Sequence, residues 1–126
     1  MRALIVDDSR AMRMIVKRAL VREGFEVFEA GDGRQALAEL QKTGPFELAL
    51  VDWNMPVMTG LEFIRALRAL PEFDRTVVMV VTSESEVAQV ERALAAGADE
   101  YVMKPFTEGA LREKLVILGL LAAAAP

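Results

Sequence analysis

The chain contains no cysteine and no histidine. The first absence excludes disulfides, a thiol nucleophile and a thiolate zinc site. The second removes the commonest general base and the commonest transition-metal ligand. Any bound metal must then be held by oxygen, which selects Mg²⁺, Mn²⁺ or Ca²⁺. Long apolar runs are missing too, and none reaches the roughly 18 residues that would suggest a membrane span. The opening Met1–Val6 turns acidic at Asp7-Asp8, too soon for a signal-peptide core and without a small-residue cleavage site. A cytoplasmic protein with no membrane association is expected. Positive charge is also short: the net charge is −4, and the basic residues Arg10, Arg13, Lys17, Arg18 and Arg22 gather only on one expected helix. Phosphate-backbone binding wants a stronger positive field, so no direct nucleic-acid binding is expected.

What is present is a regular alternation. The 126 residues suit one domain with a real core. Five short apolar runs begin at Ala3, Glu26, Leu48, Val77 and Glu100. The first, third and fourth are apolar throughout, as strands buried on both faces should be. The second is flanked by charge, as an edge strand would be. Between them lie helical patterns. Met12, Ile15, Val16, Ala19 and Leu20 make one face of the first, capped by Ser9 and stopped at Gly24. The second spans Gly33 to Lys42 with Ala36, Leu37 and Leu40 inward. Leu61, Ile64 and Leu67 mark the third, which ends before Pro71. Ser83 with Glu86 forms a capping box for a fourth running to about Ala96, with Gly97 as its stop. The fifth starts near Thr107 and carries Leu111, Leu115 and Leu118. Five βα units imply an α/β fold: a parallel sheet with right-handed crossovers and helices on both faces. The domain is expected over residues 1–121, with 122–126 as a tail or the start of a linker.

The polar residues fall at strand ends. Asp7 and Asp8 follow the first strand, Asp52 the third, Thr82 the fourth and Lys104 the fifth. Ligands of open α/β sheets bind at this carboxyl edge. Each residue has a plainer role available: Asp8 as a helix cap, Asp52 as a turn former, Thr82 as a β-branched strand residue, Lys104 as a solvated lysine. Agreement across four strands favours a site. Three crowded carboxylates repel, and at least one is pushed toward protonation. A divalent cation relieves that, since Mg²⁺ takes one or two carboxylates and keeps waters that phosphate oxygens can replace. A carboxylate nucleophile, a metal, a lysine and a hydroxyl are the parts of phosphoryl transfer to aspartate.

These residues are recognisable as a set. Val6-Asp7-Asp8, Asp52-Trp53-Asn54-Met55-Pro56, Gly60, Thr82 and Lys104-Pro105-Phe106 resemble the receiver domains of two-component response regulators, and CheY-like chemotaxis regulators in particular. The resemblance covers nearly the whole chain. It implies a doubly wound, five-stranded sheet in the order 2-1-3-4-5 with five helices. It implies Asp52 as phosphoacceptor, with Asp8, Asp52 and the carbonyl of Asn54 ligating Mg²⁺ (Mn²⁺ also serving) and Asp7 acting mainly through water. Lys104 would pair with the phosphoryl group, and Thr82 would move to hydrogen-bond it. Tyr101 would turn inward when Thr82 moves, although an aromatic near a sheet edge is more often packing. A cis bond is expected at Lys104-Pro105, and Asn54 and Glu84 match positions that tune phosphoryl loss.

The expected function is a phosphorylation-activated switch, not an enzyme with a separate substrate. A sensor histidine kinase or phosphotransfer protein would be the donor and a downstream effector protein the listener. The output surface would carry Val87, Val90, Glu91, Leu94, Tyr101 and Lys114. Val87 departs from the flagellar pattern, where lysine is usual, and so puts a motor partner in question. Val116, Ile117, Leu120 and Leu121 add apolar surface, so the expected state is a monomer or a weak phosphorylation-linked dimer. The rival class is a Mg²⁺-dependent small-molecule phosphotransferase or phosphatase, which would need a cap that short links leave no room for. A flavodoxin-like cofactor binder would need a Gly/Ser/Thr-rich phosphate loop where this chain has Asp7-Asp8.

Overall fold

The computed structural model describes residues 1–122, apart from the side chain of Glu84. Five strands, β1 (Arg2–Val6), β2 (Glu26–Ala30), β3 (Leu48–Asp52), β4 (Val77–Thr82) and β5 (Glu100–Met103), form one sheet. All pairings are parallel and the order is β2-β1-β3-β4-β5. The helices are α1 (Arg10–Arg22), α2 (Gly33–Thr43), α3 (Gly60–Arg68), α4 (Val90–Ala96) and α5 (Glu108–Ile117). The last residues of the expected tail, 123–126, lie outside the described residues.

The apolar runs of β1, β3 and β4 are explained by alternation across the pleat. Leu4, Val6, Ala49, Val51, Val78 and Val80 feed a core with Ala36 and Leu40 of α2, Phe63, Ile64 and Leu67 of α3, and Ala93 of α4. Ala3, Ile5, Leu48, Leu50, Met79 and Val81 feed a second core with Val16, Ala19 and Leu20 of α1 and Leu111 and Leu115 of α5. The three central strands are buried on both faces, whereas β2 carries exposed charge at the edge.

Local signals set the helix ends. Ser9, Asp32, Thr59 and Thr107 accept from the third backbone N–H of α1, α2, α3 and α5 in turn. Past α1, Gly24 takes φ +92 while the Phe25 N–H reaches back to the Leu20 carbonyl. That left-handed stop is where a glycine costs least.

Two expectations about helices differ from the structure. Ile15 is not on the inward face of α1; it is 56% exposed, because only Val16, Ala19 and Leu20 of that helix reach full burial. The fourth helix is not continuous from Ser83. The Ser83–Glu86 capping box forms, but Glu84–Gln89 is a tighter 3-10 segment and α4 begins at Val90. Val87 and Val90, the apolar residues of this stretch, are exposed and half-buried, so little core burial holds the first turns in α-helical form.

At the far end of the same region the chain is tied down. The Arg68 guanidinium donates to the carbonyls of Gly97, Phe73 and Thr76 and to Asp99 Oδ2. Asp99 Oδ2 also accepts from the Val78 N–H. The end of α3, the start of β4 and the turn between α4 and β5 are thus held by one side chain.

Gly60 shows how tightly the end of β3 is packed. A Cβ there would sit 2.6 Å from the Asp52 carbonyl oxygen and 2.9 Å from Trp53 Cα. Gly60→Ala is therefore expected to lower the unfolding free energy by about 1–3 kcal/mol. Gly109→Ala, whose Cβ would meet only the Thr107 hydroxyl at 3.7 Å, should cost nothing or stabilise slightly. Urea denaturation of both variants checks the contrast.

Candidate functional site at the carboxyl edge of the sheet

Register brings the acidic residues together. Val6 pairs with Val51 across β1 and β3, so Asp7 and Asp52 are the next residues on adjacent strands. The ladder runs on past Asp52, where the Trp53 N–H donates to the Val81 carbonyl at 3.0 Å. Asp7 and Asp52 are buried, at 3% and 7% exposure, while Asp8 is exposed. One carboxylate oxygen from each of the three lies within 4.8 Å of the others.

Lys104 closes the cluster. Its Nζ is 3.6 Å from Asp7 Oδ2 and 3.6 Å from Asp52 Oδ1. It stands on a loop that starts with a cis Lys104-Pro105 bond, and its own N–H donates to the Thr82 carbonyl at 2.7 Å.

Asp7 is held at every polar group. Its N–H donates to the Ala30 carbonyl, its carbonyl accepts from Arg13 Nη1 at 2.6 Å, and its Oδ1 accepts from the Ser9 N–H at 2.8 Å. Asp52 is less satisfied. Burial first, then the neighbouring Asp7, lift its pKa from 3.8 to about 6; Lys104 and the Asn54 N–H pull it down without cancelling the rise, and Asp8 adds a smaller push upward. A carboxylate crowded in this way is poised to take a cation.

Thr82 is at the same edge but in a different phase of the pleat. It shares the phase of Val78 and Val80, on the side of the sheet packed by α3 and α4, whereas Asp52 is in register with Val81 of the other face. Its hydroxyl is buried and has no hydrogen-bond partner. Such an orphan group costs about 1–3 kcal/mol.

The loop after Asp52 carries strain. Val57, which is 70% exposed, has φ +69, and the Met58 N–H turns back to the Pro56 carbonyl at 2.7 Å. A β-branched residue held there costs on the order of 1–3 kcal/mol. Beside this loop a groove is lined by Trp53, Asn54, Thr59, Glu62, Glu86 and Arg92.

The residues of the expected output surface lie on the 3-10 segment, α4, β5 and α5. Tyr101 is half-buried against the first core, and Lys114 Nζ sits 4.5 Å over its ring while pairing with Glu100 at 3.2 Å. Val87 and Leu94 are exposed, Val90 is half-buried and Glu91 is exposed on the neighbouring segment, without a described contact to the Tyr101–Lys114 pair. Asn54 is exposed beside Asp52, and the Glu84 side chain lies outside the described residues. Sequence reasoning missed the part played by Arg13. The available signal was an arginine six residues beyond Asp7, set between the inward positions Met12 and Val16 of an otherwise exposed basic row.

The geometry has close relatives. The response regulator receiver domain family matches residues 3–116. The chemotaxis protein CheY1 of Helicobacter pylori is 42% identical over 121 residues, covering 94% of this chain and 98% of that protein. The chemotaxis protein CheY of Pseudomonas aeruginosa is 44% identical over 116 residues, covering 91% and 93%. The solved structure of the chemotaxis response regulator CheY4 of Vibrio cholerae superposes with a TM-score of 0.86 at 38% identity, covering 93% of this chain and 97% of that one. The chain belongs to the response regulator receiver domain family and is a signalling switch of the CheY-like type. Among the described residues, no helix is long and apolar enough to cross a membrane.

The crowding of Asp52 has a sign that can be tested. Its folded pKa lies above its unfolded value, so the native state holds the proton more tightly. Stability therefore falls as pH rises from about 4 to 6, and the loss, of order 3 kcal/mol, is complete above that window. Without divalent cations, Asp52→Asn should be more stable than the parent at pH 8, and the gap should close toward pH 4. Urea denaturation in a chelator across that range is the check.

Proposed function

We propose that Asp52 is the phosphoacceptor of a two-component relay and that phosphorylation changes which protein the chain binds. The observation that carries this reading is Lys104 Nζ standing 3.6 Å from both Asp7 and Asp52 in a buried acidic cluster. The donor set is all oxygen, which fits Mg²⁺, with Mn²⁺ as an alternative. Asp8, Asp52 and the Asn54 carbonyl would hold it, and Asp7 would act through water. Bound there, the ion supplies neutralisation of charge on the transferring phosphoryl group.

The remaining steps belong to the chain. A carboxylate oxygen of Asp52 attacks phosphorus, the bond to the donor breaks, and an acyl phosphate forms. With a histidine kinase or phosphotransfer protein as donor, the leaving group is that partner's imidazole, which suits a chain with no histidine of its own. Lys104 pairs with the phosphoryl oxygens and opposes the charge that develops in the transition state. The domain thus catalyses its own modification and has no separate substrate.

Thr82 then acts as the relay. Its hydroxyl lacks a partner before phosphorylation, and a phosphoryl oxygen gives it one. The 3-10 segment after it has exposed or half-buried residues at 85–89 and can follow. Tyr101 repacks, displacing Lys114 from its ring, and the surface with Val87, Val90, Glu91 and Leu94 changes. Moving the population from about 1:99 to 99:1 takes roughly 5.5 kcal/mol. Two or three hydrogen bonds to a charged group at about 1.5–3 kcal/mol each can supply it. The similar chemotaxis regulators make a chemotaxis or motility effector protein the favoured listener.

Incubation with Mg²⁺ and a small acyl phosphate tests the reading. Intact mass should rise by one phosphoryl group only with the metal, and Asp52→Ala should show no gain. Lys104→Ala should slow the gain by roughly 10²-fold. Absence of phosphorylation from both the small donor and a cognate kinase would overturn it.

A further inference from the structure

Arg13 joins three parts of the fold beside the acidic cluster. It extends from α1, its Nη1 donates to the Asp7 carbonyl at 2.6 Å, and its Nε donates to Glu29 Oε1 of β2 at 3.3 Å. Glu29 is fixed in turn by Lys17, whose Nζ is 3.5 Å from its other oxygen. The Arg13 side chain is only 19% exposed, so the fork is not a free surface group. The same peptide region of Asp7 is pinned on its other side by the Asp7 N–H to the Ala30 carbonyl. Clamped at both its N–H and its carbonyl, Asp7 has little freedom to turn, and Asp8 follows directly in the chain.

We infer that Arg13 is a positioning residue that makes the Asp7-Asp8-Asp52 site selective for Mg²⁺ over Ca²⁺. The inference rests on the reading of that cluster as a divalent-cation site. Mg²⁺ demands near-ideal octahedral geometry at short distances, whereas Ca²⁺ accepts more ligands in flexible arrangements. A clamped Asp7-Asp8 turn fits the first ion, and a loosened one favours the second. The guanidinium touches a backbone carbonyl and never the ion, so its effect passes through the orientation of the ligand-bearing turn.

The ratio of the two affinities separates this role from others. Removing a nearby positive charge changes attraction for both dications alike, and a general loss of stability weakens both. Only a change in turn geometry moves them apart.

The experiment titrates the full chain with MgCl₂ and with CaCl₂, following Trp53 fluorescence and the shift in thermal midpoint. Arg13→Met should weaken Mg²⁺ about tenfold or more while Ca²⁺ changes by less than about threefold. Glu29→Gln, which leaves Arg13 and Asp7 chemically intact but weakens the anchor of the fork, should loosen the turn less and move the ratio the same way to a smaller extent, and it serves if Arg13→Met folds poorly. Equal weakening of both ions in these variants, or no change, overturns the inference while leaving the site reading intact. Failure of the parent to bind either ion overturns both.

Discussion

Crowding of carboxylates at a sheet edge governs this structure. Parallel register sets Asp7 and Asp52 side by side, and burial on both faces denies them the water that would screen their repulsion. Lys104 offsets part of it, being equally distant from the two. Burial first, and then that repulsion, hold the Asp52 proton to about pH 6. An ordinary core would remove such a conflict by substitution. Here the hydrogen bonds that surround Asp7, and the close packing of Gly60 on the Asp52 backbone, hold the two strand ends in place. A cation bound there would relieve the repulsion, whereas a phosphoryl group would add negative charge that the cation and Lys104 would have to offset.

The pleat separates the chemistry from its readout. Asp7 and Asp52 share a phase, and Thr82 has the opposite one, on the side where α3 and α4 pack. A group attached to Asp52 must therefore be sensed across the edge by a side chain that belongs to the other layer. The anchoring of that layer is uneven. Arg68 locks the turn after α4 to α3 and β4, while the 3-10 stretch before α4 buries little. Any motion beginning at Thr82 would meet the less buried end of this region first.

Much of this was legible from residue order. Short apolar runs and helical periodicity located all five strands and all five helices, apart from the start of the fourth; the three central strands read as near-continuous apolar runs because they feed both cores. The carboxyl-edge residues were legible for the same reason: each is the first polar residue after such a run. The strand order was not in the pattern itself and came from family resemblance. Four features escaped. Ile15 fits the helical period but lies just beyond the covered stripe. The break before Val90 depends on how little core is offered to Val87, which is a tertiary fact. Arg13 looked like one more member of a solvated basic row, since nothing local shows that its guanidinium turns back onto the Asp7 carbonyl. The strain at Val57 was equally silent, as valine is the last residue local preference would put at positive φ.

The most direct test is to follow the Asp52 carboxyl by carbon-13 NMR through a pH titration, with and without saturating Mg²⁺. Without metal the resonance should titrate near pH 6, and with Mg²⁺ the midpoint should fall below the ordinary aspartate value near 4. An Asp52 that titrates as an ordinary aspartate without metal, or whose midpoint ignores Mg²⁺, would contradict the claim that the site is built upon buried, crowded carboxylates.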